Sequence, residues 1–179
     1  SKGRAKGLTP AYVNPDGSLG FSFIQLKMRN LLLQAAESRA AFSELDSDPE
    51  SLGLPEPLLP FFQMTSIYND QEIADAYDRY QKSEPIARLI DALSLDPTRA
   101  VGAVQPLLSA YTHSELGRPK RVFANAYGGD RETLPIPGGH GQNFAVLART
   151  YRALHEAGKR FVYLGNVDNL GCLPDPVAV

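Results

Sequence analysis

The chain has 179 residues with 18 basic and 20 acidic side chains, a net charge of -2, and so lacks the basic footprint that duplex DNA binding needs. Apolar content of 43% and charged content of 21% fit one soluble domain able to bury a core. The single cysteine, Cys172, excludes a scaffold stapled by internal disulfides, and a reducing cytoplasm is the expected compartment.

No run approaches the roughly 18 apolar residues of a membrane span, so no membrane partner is expected. The basic start, Ser1 to Lys6, lacks the apolar core of a signal peptide. Leu8–Val13 reads as a short strand, and Asn14-Pro15-Asp16-Gly17 as a turn. From about Ser22 to Phe42, Ile24, Met28, Leu31, Leu32 and Ala35 recur at helical spacing. Residues 43–57 are acidic and end in Leu54-Pro55-Glu56-Pro57, the composition of a connector.

Leu58–Ile67 reads as a buried strand. Asn69 then caps a helix, with Glu72 as its capping-box partner and Ile73, Ala76, Tyr77 and Tyr80 on the apolar face. A further helix, about Pro85–Leu95, begins at a proline, whose missing N–H costs nothing there. Arg99–Gln105 reads as another strand, and residues 106–137 as a long irregular segment, which in a compact domain is usually functional or mobile. Phe144, Leu147, Ala148, Tyr151 and Leu154 mark one helix face, with Gly158 at the left-handed cap position. Phe161-Val162-Tyr163-Leu164 is an apolar run expected to form a parallel strand buried on both faces. The alternation of strands and helices predicts an α/β sandwich around a mainly parallel sheet, whose ligands sit beyond the carboxyl ends of the strands.

Two segments carry the chemistry. Pro137-Gly138-Gly139-His140-Gly141-Gln142 is a glycine-rich loop that lets backbone approach a flat base or a phosphate, with an imidazole as an added donor. A tight turn into a helix would use the same glycines. Asn166-Val167-Asp168-Asn169 places a carboxylate at a strand end, suited to Mg2+ or a sugar hydroxyl, or equally to local backbone hydrogen bonds. His113 and His155 lack metal-ligand spacing, and Arg118, Lys120 and Arg121 read as a solvated cluster.

Together the two segments resemble the UDP-glucose pyrophosphorylase family, the eukaryotic-type UTP–glucose-1-phosphate uridylyltransferases. That family has a proline-glycine-His-Gly loop, a helix, and a strand ending in Asn-x-Asp-Asn-Leu-Gly. Here these are Pro137-Gly138-Gly139-His140-Gly141 and Asn166-Val167-Asp168-Asn169-Leu170-Gly171. Met64-Thr65-Ser66-Ile67-Tyr68-Asn69-Asp70 is similar to the family's Met-Asn-Ser-Phe-Asn-Thr segment, and Ala5-Lys6-Gly7-Leu8 to the end of its substrate-binding loop.

The resemblance implies a Rossmann-like nucleotidyltransferase sandwich, incomplete at both ends, with residues 1–179 forming part of one catalytic domain. It implies Mg2+-dependent uridylyl transfer from UTP to a sugar 1-phosphate, here glucose 1-phosphate. Gly138, Gly139 and Gly141 would contact the nucleotide, with Gly139 and Gly141 against uracil and ribose. His140 would face the phosphate, Asp168 would bind the metal, Asn166 would lie near the sugar phosphate, and Lys6 would steady the triphosphate. Gln105 would match the family's uracil-reading glutamine. Gln142 stands where the family usually has an acid. The family's first strand and C-terminal segments have no counterpart here, so the chain is expected to be an internal piece, nearly inactive alone. A pyrophosphorylase for N-acetylhexosamine or other sugar phosphates, and a non-catalytic nucleotide-binding module, are the competing expectations.

Overall fold

The computed structural model describes residues 5–44, 61–113, 119–128 and 131–171. Their architecture is mixed α/β, with five α-helices and two small sheets among the described residues.

After a single 3-10 turn at Lys6–Leu8 the chain makes a ribbon. Gly17, at φ 82°, closes the turn by donating its N–H to the Asn14 carbonyl at 2.9 Å. The Asp16 carboxylate accepts from the Ser18 N–H at 2.9 Å and the Ser18 hydroxyl at 2.7 Å. The expected strand at Leu8–Val13 is reduced to isolated antiparallel bridges, Pro10 with Ser22 and Val13 with Leu19. The turn chemistry is as read, but Pro10 and Pro15 leave few donors for a continuous ladder.

Helix α1 (Phe23–Glu44) carries the core. Ile24, Met28, Leu32 and Ala35 are at most 2% exposed. They fall at intervals of three and four residues, on one helix face. Leu8, Ile73, Ala76, Tyr77, Ile86 and Leu95 complete the cluster. Strand β1 (Phe62–Ser66) is shorter than the expected Leu58–Ile67; residues 58–60 lie outside the described residues and Ile67 is exposed.

Helix α2 (Asp70–Tyr80) follows, but the capping box does not form. The Asn69 side chain instead accepts from the Ser66 N–H at 2.8 Å, and Glu72 accepts from the Ala5 N–H at 3.2 Å. Tyr77 and Tyr80 anchor the helix by hydroxyl bonds to Gln63 (2.5 Å) and Ser22 (2.8 Å). Burial pushes the Tyr77 phenol well above its ordinary pKa. Helix α3 (Ile86–Leu93) packs on α1.

Strand β2 (Val101–Gln105) pairs in parallel with β1, in register from Phe62 with Val101 to Ser66 with Gln105. The segment expected to be irregular contains a second pairing. Strand β3 (Leu107–Ser109) runs antiparallel to β4 (Pro135–Pro137), joining Leu107 to Pro137. A 3-10 turn at His140–Gln142 leads into α4 (Asn143–Val146), and α5 (Ala148–Glu156) continues it after a break at Leu147. The predicted helix is thus two pieces. Leu147 is fully buried, and Tyr151 meets Phe62 of β1 edge-to-face at 5.4 Å. Gly158, at φ 87°, ends α5 in a Schellman motif: its N–H bonds the His155 carbonyl at 3.0 Å and the Lys159 N–H bonds the Leu154 carbonyl at 2.9 Å.

A further expectation is overturned. Phe161–Leu164 forms no strand among the described residues, and its side chains are exposed, Phe161 by 77%. Four consecutive apolar residues suit a buried strand, but they do not themselves supply the cover on both faces that such a strand needs. No helix among the described residues is long and apolar enough to cross a membrane. Cys172 and Arg118 lie outside the described residues.

Candidate functional site

The parallel pair β1–β2 ends at Ser66 and Gln105, and the residues of interest fall into two groups. The first group contains Lys6 and Asp168. Ala5 and Gly7 are buried, which fixes the 3-10 turn between them and leaves the Lys6 side chain 69% exposed. An added Cβ at Gly7 would lie 2.7 Å from Ile24 Cδ1 and 3.2 Å from Val167 Cγ2, so only glycine allows this approach of turn, helix and loop.

Val167 packs on the core between Asn166 and Asp168. The Asn169 N–H closes this turn on the Asn166 carbonyl at 3.1 Å, and Lys27 of α1 donates to the Asn169 carbonyl. So held, Asp168 Oδ2 accepts from Lys6 Nζ at 2.5 Å. The Lys6 hydrogen bond is the main reason that the Asp168 carboxyl sits below its usual pKa of 3.8. Asn166 is exposed two residues away. Glu72, at the start of α2, holds the Ala5 N–H and so links this group to the turn that follows β1.

The second group is the glycine loop. The β3–β4 register joins Leu107 to Pro137, which puts Gln105 and Gly139 each two residues beyond that pair at one end of the ladder. Gly139 has φ 91°, a region that favours glycine, and neither Gly139 nor Gly141 has anything within 4 Å of where a Cβ would stand. Gly138 differs: the Gln142 side chain crosses it, with Nε2 2.2 Å from an added Cβ. The Gln142 N–H also bonds the Gly139 carbonyl at 3.1 Å. Gln105 Oε1 and Gln142 Oε1 are both buried with no hydrogen-bond partner among the described residues. His140 is exposed and makes no side-chain hydrogen bond among the described residues.

The structure joins Lys6 to Asp168 by an ion pair and brings Gln105 and the glycine loop to one end of the β3–β4 ladder. No ion pair or hydrogen bond among the described residues connects His140 to Asp168. Sequence reasoning missed the cross-over of Gln142 onto Gly138; the paired glycine before an unbranched polar residue was the available signal. An open groove of about 470 Å3 lies at the other end of β2, lined by Val101, Thr150, Ala153, Leu154 and Ala157 together with Arg149 and Lys159. Its apolar lining is away from both groups. Comparison with models of protein families, with curated proteins and with solved structures finds no match to this chain.

Proposed function

We propose that the chain is part of the catalytic domain of a nucleotidyltransferase of the UDP-glucose pyrophosphorylase type, transferring uridylyl from UTP to a sugar 1-phosphate. The observation that carries this reading is the Lys6–Asp168 pair at 2.5 Å. Two residues far apart in sequence, of types suited to phosphate and metal chemistry, form this pair, and Glu72 of α2 ties their turn to the segment that follows the carboxyl edge of β1. In open α/β sheets that edge is where ligands bind. A full Rossmann-like sandwich belongs to the same proposal, with β1 and β2 as its central parallel pair.

In the proposed reaction an oxygen of the sugar 1-phosphate attacks the α-phosphorus of UTP in line. The new P–O bond forms as the bond to the β-phosphate oxygen breaks, and pyrophosphate leaves with that electron pair. Such chemistry needs positioning and charge neutralisation rather than a covalent enzyme intermediate. Gly139 and Gly141 leave open backbone for the base and ribose, Gln105 reads the base, and His140 donates to a phosphate. Lys6 exchanges its bond to Asp168 for the triphosphate, and Asn166 holds the sugar phosphate.

The residues present suit Mg2+. Asp168 offers a hard carboxylate whose Oδ1 is not used by Lys6, and Asn166 and Asn169 flank it. Substrate oxygens and water would complete the shell, as Mg2+ commonly requires. Bound there, the ion would neutralise phosphate charge.

Calorimetric titration of the chain with UTP and UDP-glucose, with and without Mg2+, tests the reading. Binding of both, weakened by Lys6→Met and made Mg2+-independent by Asp168→Asn, is expected. Absence of any nucleotide binding would overturn it. Binding by a longer parent protein without turnover of glucose 1-phosphate or N-acetylhexosamine phosphate would instead identify a nucleotide-binding module.

A further inference from the structure

Strand β2 has a strand neighbour on one side only among the described residues. Val101 donates its N–H to the Phe61 carbonyl at 3.2 Å, and the parallel register with β1 runs from there to Gln105. Backbone direction alternates along a strand, so Val101, Ala103 and Gln105 turn their hydrogen-bonding groups to β1, while Gly102 and Val104 turn theirs the other way. Both of these residues are exposed. An added Cβ at Gly102 would meet nothing within 4 Å, so the backbone there is open to an approaching chain. Proteins commonly shield such edges with lysine, proline or a bulge. Strand β2 reads Val-Gly-Ala-Val-Gln in unbroken register and has none of these.

The groove at the start of β2 adds a second contact surface beside this edge. Phe62 and Val101 are register partners and share one face of the sheet, and Tyr151 of α5 meets Phe62, so α5 covers that face. Val101, Ala153, Leu154 and Ala157 give the groove its apolar floor, and Arg149 and Lys159 belong to its lining. Arg149 stands in the first turn of α5 and Lys159 just past its end, so a cation marks each end of the groove. The nine residues of α5 span about 14 Å, a length that an extended chain covers in about four residues.

We propose that the open edge of β2 and the adjoining groove form a docking site for an extended, acidic segment of another protein, which adds as a strand beside β2. Main-chain bonds to Gly102 and Val104 hold the segment, apolar side chains at alternate positions fill the groove, and acids at either end meet Arg149 and Lys159. Charge decides between this occupant and a second copy of the chain. Antiparallel pairing of two β2 edges would place its twofold axis perpendicular to one continuous sheet, with both α5 helices on the same face. Each groove would then turn its cations toward those of the other. Helix α5 has Arg149 and Arg152 against one acid, Glu156, and Lys159 and Arg160 follow it, so a second copy is repelled and an acidic segment attracted. The groove lies at the opposite end of β2 from Gln105, and the proposal stands independently of the nucleotide reading.

The experiment titrates the 179-residue chain into a peptide, Glu-Ser-Val-Ser-Val-Ser-Glu, that carries an N-terminal fluorescein and a C-terminal amide. In an extended peptide this alternation sets two valines between two glutamates on one face. Saturable binding by fluorescence anisotropy is expected. It should be about tenfold weaker for the peptide with lysine in place of both glutamates, and about tenfold weaker for Arg149→Glu with the glutamate peptide. Gly102→Pro removes an outward N–H but no bond to β1, and should also weaken binding about tenfold, with circular dichroism establishing that both variants remain folded. Two further peptides, N-methylated at the serines or at the valines, separate strand addition from charge attraction without altering the protein. Only alternate N–H groups of an added strand face the edge, so one of these peptides should lose binding and the other keep it.

No binding of the glutamate peptide, equal binding of the glutamate and lysine peptides, or equal binding of the two N-methylated peptides would overturn the proposal. A dimer of the unaltered chain in sedimentation velocity, dispersed by Gly102→Pro, would overturn it too, by giving the edge to a second copy.

Discussion

Gly7 is the point at which the candidate site is bolted to the core, and Gly7→Ala tests that connection. The added methyl would stand 2.7 and 2.8 Å from the δ and γ1 carbons of Ile24 and 3.2 Å from Val167 Cγ2. Ile24 is only 2% exposed and faces Met28 and Leu32 in a filled core, so it has little room to yield. Overpacking of this kind costs about 1–3 kcal/mol, which raises the unfolded fraction about 5- to 150-fold. Ile24→Ala alone should cost about 2–4 kcal/mol through the cavity it leaves. In Gly7→Ala/Ile24→Ala the new methyl occupies part of that cavity, so the double variant should be more stable than the sum of the singles by at least about 1 kcal/mol. Urea denaturation of the four proteins measures the cycle. Additivity within about 0.5 kcal/mol would refute the contact.

The Asp168 carboxyl, held low by its bond from Lys6, should titrate below 3.8 in carboxyl NMR of the folded chain and return toward that value in Lys6→Met. Because the folded pKa is the lower one, the pair's contribution to stability is present above the ordinary carboxylate range and disappears as pH falls through the depressed value. Asp16 should behave alike, with Ser18→Ala raising its pKa by removing the hydroxyl hydrogen bond while the backbone N–H bond remains. Tyr77 should stay protonated in spectrophotometric titration through its ordinary pKa of 10.0; its raised folded pKa contributes stability below that pH, lost as the solution becomes more alkaline. Gly158→Ala forces a left-handed backbone on alanine and should lower stability by about 1–2 kcal/mol in urea denaturation.

What was legible in the sequence was whatever depends on short-range spacing. Ile24, Met28, Leu32 and Ala35 line one face because three- and four-residue steps leave no other arrangement, and Gly17 and Gly158 take positive φ because neighbouring hydrogen bonds close there. The resemblance named Lys6 and Asp168 separately, and their meeting is a long-range contact that no local spacing reveals. Long-range competition hid the rest. Glu72 had two backbone N–H groups to choose from, and the one that captured it belongs to Ala5, 67 residues away. Leu107–Ser109 and Pro135–Pro137 are each three residues long, too short to show an alternating pattern, yet their pairing aligns Gln105 with the glycine loop. Phe161–Leu164 has the composition of a strand, but composition does not provide the neighbouring layer that would bury it.

The two halves of the site are secured in different ways, and the difference bears on how it would work. Asp168 follows Val167, which packs on the core, and its turn is gripped by Lys27 from α1; the carboxylate is thereby fixed to the most deeply buried helix. Lys6 projects from a buried turn but is itself 69% exposed, on a long side chain with rotamers to spare. An exposed ion pair holds its partners only weakly in water. Lys6 can therefore leave Asp168 at little cost, while Asp168 stays where the core keeps it; on the proposed reading the Lys6 ammonium would then turn to a phosphate. The glycine loop combines the same two qualities, with Gln142 fixed across Gly138 and open backbone at Gly139 and Gly141. Each group sets a fixed element, Asp168 or Gln142, beside an exposed or open one. That is the arrangement a site needs if it must hold a polyphosphate in register and then release a charged product.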